Sequence, residues 1–199
     1  VNAYGVMSQG APAIIVGFND YVAWGLTNNG GDVMDWYDIT FRNDQKEEYM
    51  HDGEWLPVTR RIETINAKGE PAINDTILFT HHGPVYESEQ ITPASEVIQQ
   101  NHALRWIAHD PSNELMALYK LNRAENHTDF KNSFRSYKAP SQNVNFASID
   151  GDIAMQTIGQ FPVKWRFQGR SVGNGADSRY DWDVGANIVN ATGRCSGIP

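Results

Sequence analysis

The stretch Val22–Ile39, VAWGLTNNGGDVMDWYDI, begins and ends as a β-strand, and between the two arms sit two asparagines, two glycines and an aspartate. Apolar arms around a run of turn-formers read as two strands joined by a loop. On this pattern one strand covers residues 13–25, a second covers residues 34–42, and Asn28 stands on the loop between them. Gly30 and Gly31 permit backbone paths closed to other residues. Asn28 and Asn29 tolerate left-handed and turn conformations. Such a loop can aim backbone N–H groups into a cleft, as an oxyanion hole requires. Asp32 and Asp35 lie three apart with the Met34 carbonyl between them, and two carboxylates plus a carbonyl form a corner for a hard cation. A wide hairpin loop with solvated aspartates is the plainer alternative for the same residues.

Outward from that stretch, hairpin signals recur. EYMHDGEWLPV carries Asp52-Gly53 between apolar arms, a type I′ turn signal. RIETINAKGEPAINDTILFT turns at Lys68-Gly69, NDTILFTHHGPVY closes at Gly83-Pro84, and NFASIDGDIAMQTIG turns at Asp150-Gly151. The spacing predicts about eight to ten strands of antiparallel sheet. Two helices interrupt them. DPSNELMALYKLNRA offers Asp110 as N-cap and Pro111 at the first helical position, with Leu115, Leu118 and Tyr119 on one face and Leu121 flanking it. HTDFKNSFRSYKAP spaces Phe130, Phe134 and Tyr137 at helical intervals behind a Thr128 cap and stops near Ala139, before Pro140. Strands, two helices, then strands again predict an α+β fold with helices layered on antiparallel sheet.

The bulk properties narrow the setting. At 199 residues, 40% of them apolar and 20% charged, the chain suits one globular domain, residues 1–183, followed by a weakly patterned tail over 184–199. A net charge of −8 argues against a nucleic acid or an anionic membrane as partner. The single cysteine, Cys195, excludes an intramolecular disulfide and a zinc site built on cysteines. No apolar run approaches the roughly 20 residues that span a bilayer. The chain opens VNAYGVMSQG, with neither signal peptide nor initiator methionine, and reads as a processed chain or a cut fragment.

Other chemistry is thin. His81-His82 is the adjacent histidine pair. In a strand the two would point to opposite faces and could not chelate one metal, so a strand-end or turn role is expected. His51, His102, His109 and His127 show no metal spacing. No Gly-x-Ser-x-Gly elbow supports a catalytic triad. Asp150-Gly151-Asp152 lacks the remaining positions of a calcium loop and reads as a turn. Asn74, Asn126 and Asn190 head Asn-x-Thr sequons, which matter only in a glycosylating host.

IIVGFNDYVAWGLTNNGGDVMDWY resembles the penicillin amidase (penicillin acylase) family, whose members read G-x-N-x-x-x-A-W-G-x-T-N followed by D-x-x-D; Gly17, Asn19, Ala23, Trp24, Gly25, Thr27, Asn28, Asp32 and Asp35 fit. THHGPVY is similar to the family's R-H-G-P-V strand, with His81 in place of the arginine. ALRWIAHDPSNELMALYKLNRAEN, APSQNVNFASIDGDIAMQTIGQFPVK (with Ser148 where aspartate is usual) and SRYDW extend the likeness over about residues 1–182.

The resemblance implies part of an N-terminal-nucleophile hydrolase, with an αββα sandwich fold and autoproteolytic processing into two chains. It implies amide hydrolysis through an acyl-enzyme on the N-terminal serine of the larger chain. The serine's own α-amino group, with a pKa of about 8, serves as base without a histidine. That serine lies tens of residues before the block matching Val1, and this chain does not contain it. The oxyanion-hole asparagine lies beyond the SRYDW block, where Asn187 and Asn190 are not credible substitutes. What is retained is the backbone N–H of Asn28 for the oxyanion hole and a partial Ca2+ corner at Asp32, Met34 (carbonyl) and Asp35, with the Arg170 carbonyl a loose match. Leu26, Gly30 and Gln142 map near the acyl pocket, and Tyr119 or its neighbour Leu118 maps at its wall; simple packing is the alternative role for each. No organic cofactor is implied. The implied partners are a small N-acyl amide and the rest of the parent α and β chains, and the implied location is periplasmic or extracellular. β-Lactam side chains, acyl-homoserine lactones and other N-acyl amides, some tied to antibiotic biosynthesis, all fall in the family's range. The residues alone leave open a non-enzymatic β-rich module that binds carbohydrate or another ligand through its 6 tryptophans and 8 tyrosines.

Overall fold

The computed structural model describes residues 2–87 and 98–182 and the backbone of the strand 188–190. In chain order the strands are β1 (Ala3–Val6), β2 (Val16–Asn19), β3 (Val22–Asn28), β4 (Met34–Asp38), β5 (Glu48–His51), β6 (Glu54–Pro57), β7 (Thr59–Ile65), β8 (Ile73–Thr80), β9 (Gly83–Pro84) and β10 (His102–Trp106). Helices α1 (Glu114–Leu121) and α2 (His127–Ser133) follow, and then β11 (Gln142–Ser148), β12 (Ile153–Ile158), β13 (Gln160–Pro162), β14 (Gly173–Asn174) and β15 (Ile188–Asn190). The described residues thus hold fifteen strand segments rather than eight to ten. Four of them, β9, β13, β14 and β15, are two- and three-residue pairings that leave no periodic signature. Where the sequence reading takes residues 1–183 as one domain, the contacts divide the chain into two compact units. The 184–199 tail lies outside the described residues except for β15, which pairs with β13.

The first unit comprises Val1–Val33, Asp110–Val163 and Val184–Pro199. Its sheet has the order β1-β2-β3-β11-β12, antiparallel throughout. Strand alternation puts Val22 and Trp24 of β3, Val144 and Phe146 of β11 and Ile158 of β12 on the buried face. Against them pack Ala117, Leu118 and Leu121 from α1 and Phe130, Phe134 and Tyr137 from the second helical segment. The opposite face leaves Tyr4, Phe18, Ile153 and Met155 exposed.

Both helices start later, or on a different cap, than the sequence suggests. Asn113, not Asp110, caps α1, its Oδ1 accepting from the Met116 N–H at 3.0 Å. Asn126, not Thr128, caps α2, accepting from Asp129 N at 3.0 Å, while Asp129 Oδ2 accepts from the Glu125 N–H. Leu115 and Tyr119 are exposed, and the buried face of α1 is Ala117, Leu118 and Leu121. The expected continuous strand over 13–25 is split at Asp20-Tyr21. Asn19 Oδ1 accepts from the N–H groups of Tyr21 and Val22 and folds the chain into a turn. Its amide donates to the carbonyls of Asn122 and Ala124, while Asn122 clasps both the N–H and the C=O of Ile14.

The second unit comprises Met34–His109 and Lys164–Asp183. β4 is the centre of the sheet β10-β4-β14, antiparallel to β10 and parallel to β14. Its inward residues Asp35 and Tyr37, and Ile39 just after it, are buried. Tyr37 and Ile39 join Tyr49, Leu78, Val85 and Ala103 in the core of this unit. The Asp52-Gly53 turn between β5 and β6 forms as the sequence indicates, with φ +47° and +83°, the paired positive φ values of a type I′ turn.

Candidate functional site

The site predicted from sequence begins at the end of β3. Asn28 is the last residue of that strand, and the connecting segment is Asn29–Val33. β3 and β11 run in continuous register from Val22↔Ser148 to Asn28↔Gln142. Just beyond, the Ile149 N–H donates to the Tyr21 carbonyl at 2.8 Å, which makes 149/21 a hydrogen-bonded pair. Such pairs alternate with non-bonded ones along an antiparallel ladder, so Asn28 and Gln142 form a non-bonded pair. The Asn28 N–H therefore faces away from β11, toward the side of β2, which begins only at Val16. Their side chains meet across the pair, Gln142 Nε2 donating to Asn28 Oδ1 at 2.8 Å.

The segment after Asn28 is pinned locally. Asn29 Oδ1 accepts from the Gly31 N–H and from Ser141 Oγ, each at 2.8 Å. Gly30 takes φ +63° with open space where a Cβ would project. Gly31 is needed for close approach, since a Cβ there would sit 2.3 Å from Phe161 Cε1. Leu26 is half-buried against the helix-covered core. Tyr119 stands exposed on α1 with the Arg123 guanidinium 3.6 Å from its ring centre, while its neighbour Leu118 is core. Asn28 and Gln142 are thus direct neighbours, Leu26 lies two residues along the same strand face, and Tyr119 stands on α1.

Of the three residues read as a cation corner, Asp32 is exposed in the first unit. Met34 and Asp35 open β4 in the second. Met34 is exposed, and Asp35 is 4% exposed with both carboxylate oxygens engaged. Oδ1 lies 2.8 Å from Lys164 Nζ, and Oδ2 accepts from Trp182 Nε1 at 2.5 Å. Gly169, at φ +83°, passes beneath this pair, and a Cβ there would lie 2.3 Å from Asp35 Oδ1. A Ca2+ ion on Asp35 would meet the Lys164 ammonium on the same carboxylate, so Asp35 as arranged does not fit a calcium ligand.

His81 and His82 lie in the turn between β8 and β9, the strand-end or turn position expected of them. The strand rule of opposite faces does not apply to them, and their ring centres are 3.8 Å apart. His51, from the end of β5, joins them, and all three Nε2 atoms face Asp181: 3.3 Å for His51, 3.5 Å for His81 and 3.7 Å for His82. Burial and the neighbouring His81 push the His82 imidazole down to about 4, so it is neutral near pH 7. The Tyr37 hydroxyl, in the same unit, is raised well above its ordinary value, first by burial and then by Asp35. The one sequence signal for this cluster was Gly83-Pro84 directly after the pair, which ends the strand alternation. Long-range pairing brings in His51 and Asp181.

The penicillin amidase family model matches residues 1–192. An acyl-homoserine lactone acylase QuiP of Pseudomonas syringae pv. syringae (strain B728a) is 31% identical over 180 residues, covering 90% of this chain and 21% of that protein. The acylase of the same name from Pseudomonas aeruginosa is 31% identical over 195 residues, 94% of this chain and 23% of that protein. Penicillin G acylase of Escherichia coli is 23% identical over 171 residues, 86% of this chain and 20% of that protein. This chain thus spans about a fifth of the length of the curated relatives it matches. Among solved structures, the thermostable penicillin G acylase from Alcaligenes faecalis superposes with a TM-score of 0.76 at 22% identity, over 95% of this chain and 34% of that one. With α+β architecture, the β3–β11 motif strands and a family match along nearly its whole length, the chain belongs to the penicillin amidase family.

Proposed function

We propose that this chain is a segment of the nucleophile-bearing chain of an N-acyl amide hydrolase, and that it supplies one oxyanion donor, the Asn28 N–H. The observation that carries the reading is the phase of the β3–β11 ladder, which turns that N–H away from β11. A donor left outside a ladder can meet an acyl oxygen as negative charge develops on it. Gly30, with open space beside it, leaves room for an acyl group to approach, and Gln142 holds the Asn28 side chain aside. In the parent protein an N-terminal serine attacks the amide carbon, its α-amino group takes the proton, and the amine leaves after the tetrahedral intermediate collapses to the acyl-enzyme. Water then releases the acid. Two of the relatives described above are acyl-homoserine lactone acylases, which makes an N-acyl-homoserine lactone the first substrate to assay.

The test separates the backbone N–H from the side chain. In the parent enzyme, Asn28→Ala keeps the N–H and should leave kcat within a few-fold of wild type. Asn28→Pro removes the N–H and should lower kcat by about 10² to 10³, the usual cost of one oxyanion donor, with circular dichroism confirming the fold. Equal effects of the two substitutions would overturn the assignment.

A further inference from the structure

The cluster His51, His81, His82 and Asp181 takes no part in the proposed acyl chemistry. We infer that it is a zinc site, in which the Nε2 atoms of the three imidazoles and the Asp181 carboxylate bind one Zn2+ that clips together three distant segments of the second unit.

Geometry carries the argument. One ligand atom from each of the four residues lies within 4.8 Å of all the others. Tetrahedral zinc with bonds of about 2.0–2.1 Å separates its ligand atoms by about 3.3 Å. His51 and His81 Nε2 already lie 3.3 and 3.5 Å from Asp181 Oδ2, and His82 Nε2 lies 3.7 Å from Oδ1, while the other ligand-atom pairs close from at most 4.8 Å. Three imidazole nitrogens and one carboxylate also match the preference of zinc for nitrogen and oxygen donors.

The surroundings orient the donors. His51 Nδ1 is 3.2 Å from the Gly175 carbonyl, to which it donates, leaving Nε2 for the metal. His81 Nδ1 lies 2.9 Å from the Tyr49 hydroxyl, which can accept its proton. The His82 ring stacks on Tyr37 at 3.9 Å and 12°. Outer partners of this kind fix the tautomer and aim of metal-bound imidazoles. His82 Nε2 also contacts the Gly175 carbonyl, at 3.2 Å. Metal binding moves the His82 proton to Nδ1 and leaves that carbonyl to His51. Asp181 Oδ1 is buried and has no hydrogen-bond partner among the described residues. A buried carboxylate oxygen without a donor is a costly arrangement for a protein alone, and a cation resolves it.

Four protein ligands make a closed, structural site rather than a catalytic one. The clip joins the end of β5, the β8–β9 turn and the segment entering Trp182, positions far apart in sequence and all in one unit.

The chain, stripped with chelator and dialysed, is titrated with Zn2+ and separately with Co2+. One equivalent of zinc should remain after gel filtration, and Co2+ should give the intense visible bands of a tetrahedral site. Zinc held at 100 times its Kd should raise Tm by about 5–10 °C. His81→Gln changes the most exposed of the three histidines and is the variant best able to fold. It should weaken zinc binding at least tenfold, as should Asp181→Asn, while His127→Gln in the first unit should not. A folded wild-type chain that retains no stoichiometric zinc overturns the inference. So does an octahedral Co2+ spectrum, or binding unchanged in both His81→Gln and Asp181→Asn.

Discussion

Replacing Lys164 by methionine should cost the second unit about 3 kcal/mol and make it responsive to calcium. The ammonium sits 2.8 Å from Asp35 Oδ1, with side-chain exposures of 10% for Lys164 and 3% for Asp35. Removing one partner of such a buried pair strands the other charge, typically at about 3–5 kcal/mol. The low end applies here because Trp182 Nε1 still donates to Asp35 Oδ2, and a hydrogen bond to a carboxylate is among the stronger ones. In a chain of this size, 3 kcal/mol corresponds to about 6–12 °C in Tm. The double variant Lys164→Met, Asp35→Asn removes both charges and keeps an oxygen for Trp182. It should recover about 2 kcal/mol of the loss, and with Asp35→Asn alone as the fourth corner a double-mutant cycle gives the coupling energy of the pair. Thermal melts with and without millimolar Ca2+ complete the assay. Calcium should leave the wild type unmoved and stabilise Lys164→Met, whose carboxylate lacks its counter-ion. If calcium raises the wild-type Tm and Asp35→Asn abolishes that rise, Lys164 is not the resident counter-ion and the reasoning fails. It fails equally if Lys164→Met costs under about 1 kcal/mol, the range of an exposed pair.

Asn122→Ala should lower stability by about 2–6 kcal/mol in urea titrations, because it leaves both the N–H and the C=O of Ile14 without their partner at about 1–3 kcal/mol each. A loss below 1 kcal/mol would mean water replaces the amide. Glu114 Oε1 accepts from the Lys138 and Ala139 N–H groups. Burial pushes this carboxyl up, but those bonds and one from Ser112 outweigh it, so its pKa lies below the ordinary carboxylate value. A depressed pKa stabilises the fold above the unfolded value of about 4.3 and loses that stability as pH falls through the folded value. Glu114→Gln should therefore be less stable than wild type at pH 7 and indistinguishable from it near pH 2; a constant gap across that range contradicts the assignment. The 199-residue chain by itself should show no turnover of acyl-homoserine lactones or acyl-anilides above buffer, since Val1 offers no side-chain nucleophile and removal of the nucleophile leaves only residual catalysis. Turnover abolished by changing an internal serine such as Ser8 would place the nucleophile inside this chain.

Local chemistry was legible in the residues themselves. Apolar arms around turn residues marked strands at β3, β4, β11 and β12, Asp52-Gly53 marked its hairpin, and the spacing of Phe130, Phe134 and Tyr137 marked a buried helical face, because each signal lies within one or two turns of chain. The motif strands carried the family for the same reason. Helix starts were less legible, since Asp110, Asn113, Asn126 and Thr128 can all cap. Which one does so depends on where the neighbouring chain holds the first free N–H groups, as Asn113 and Asn126 show. Three features were decided only by tertiary structure. The phase of the Asn28 N–H depends on register with a strand more than a hundred residues away. The role of Asp35 depends on Lys164 and Trp182, which no local spacing connects to it. The histidine cluster needs a turn at His81-His82, the end of β5 and Asp181 in one place. Sequence periodicity reports on neighbours along the chain. Charge pairing and metal geometry are set by distances through space, so these residues acquired their chemistry only when the sheets closed.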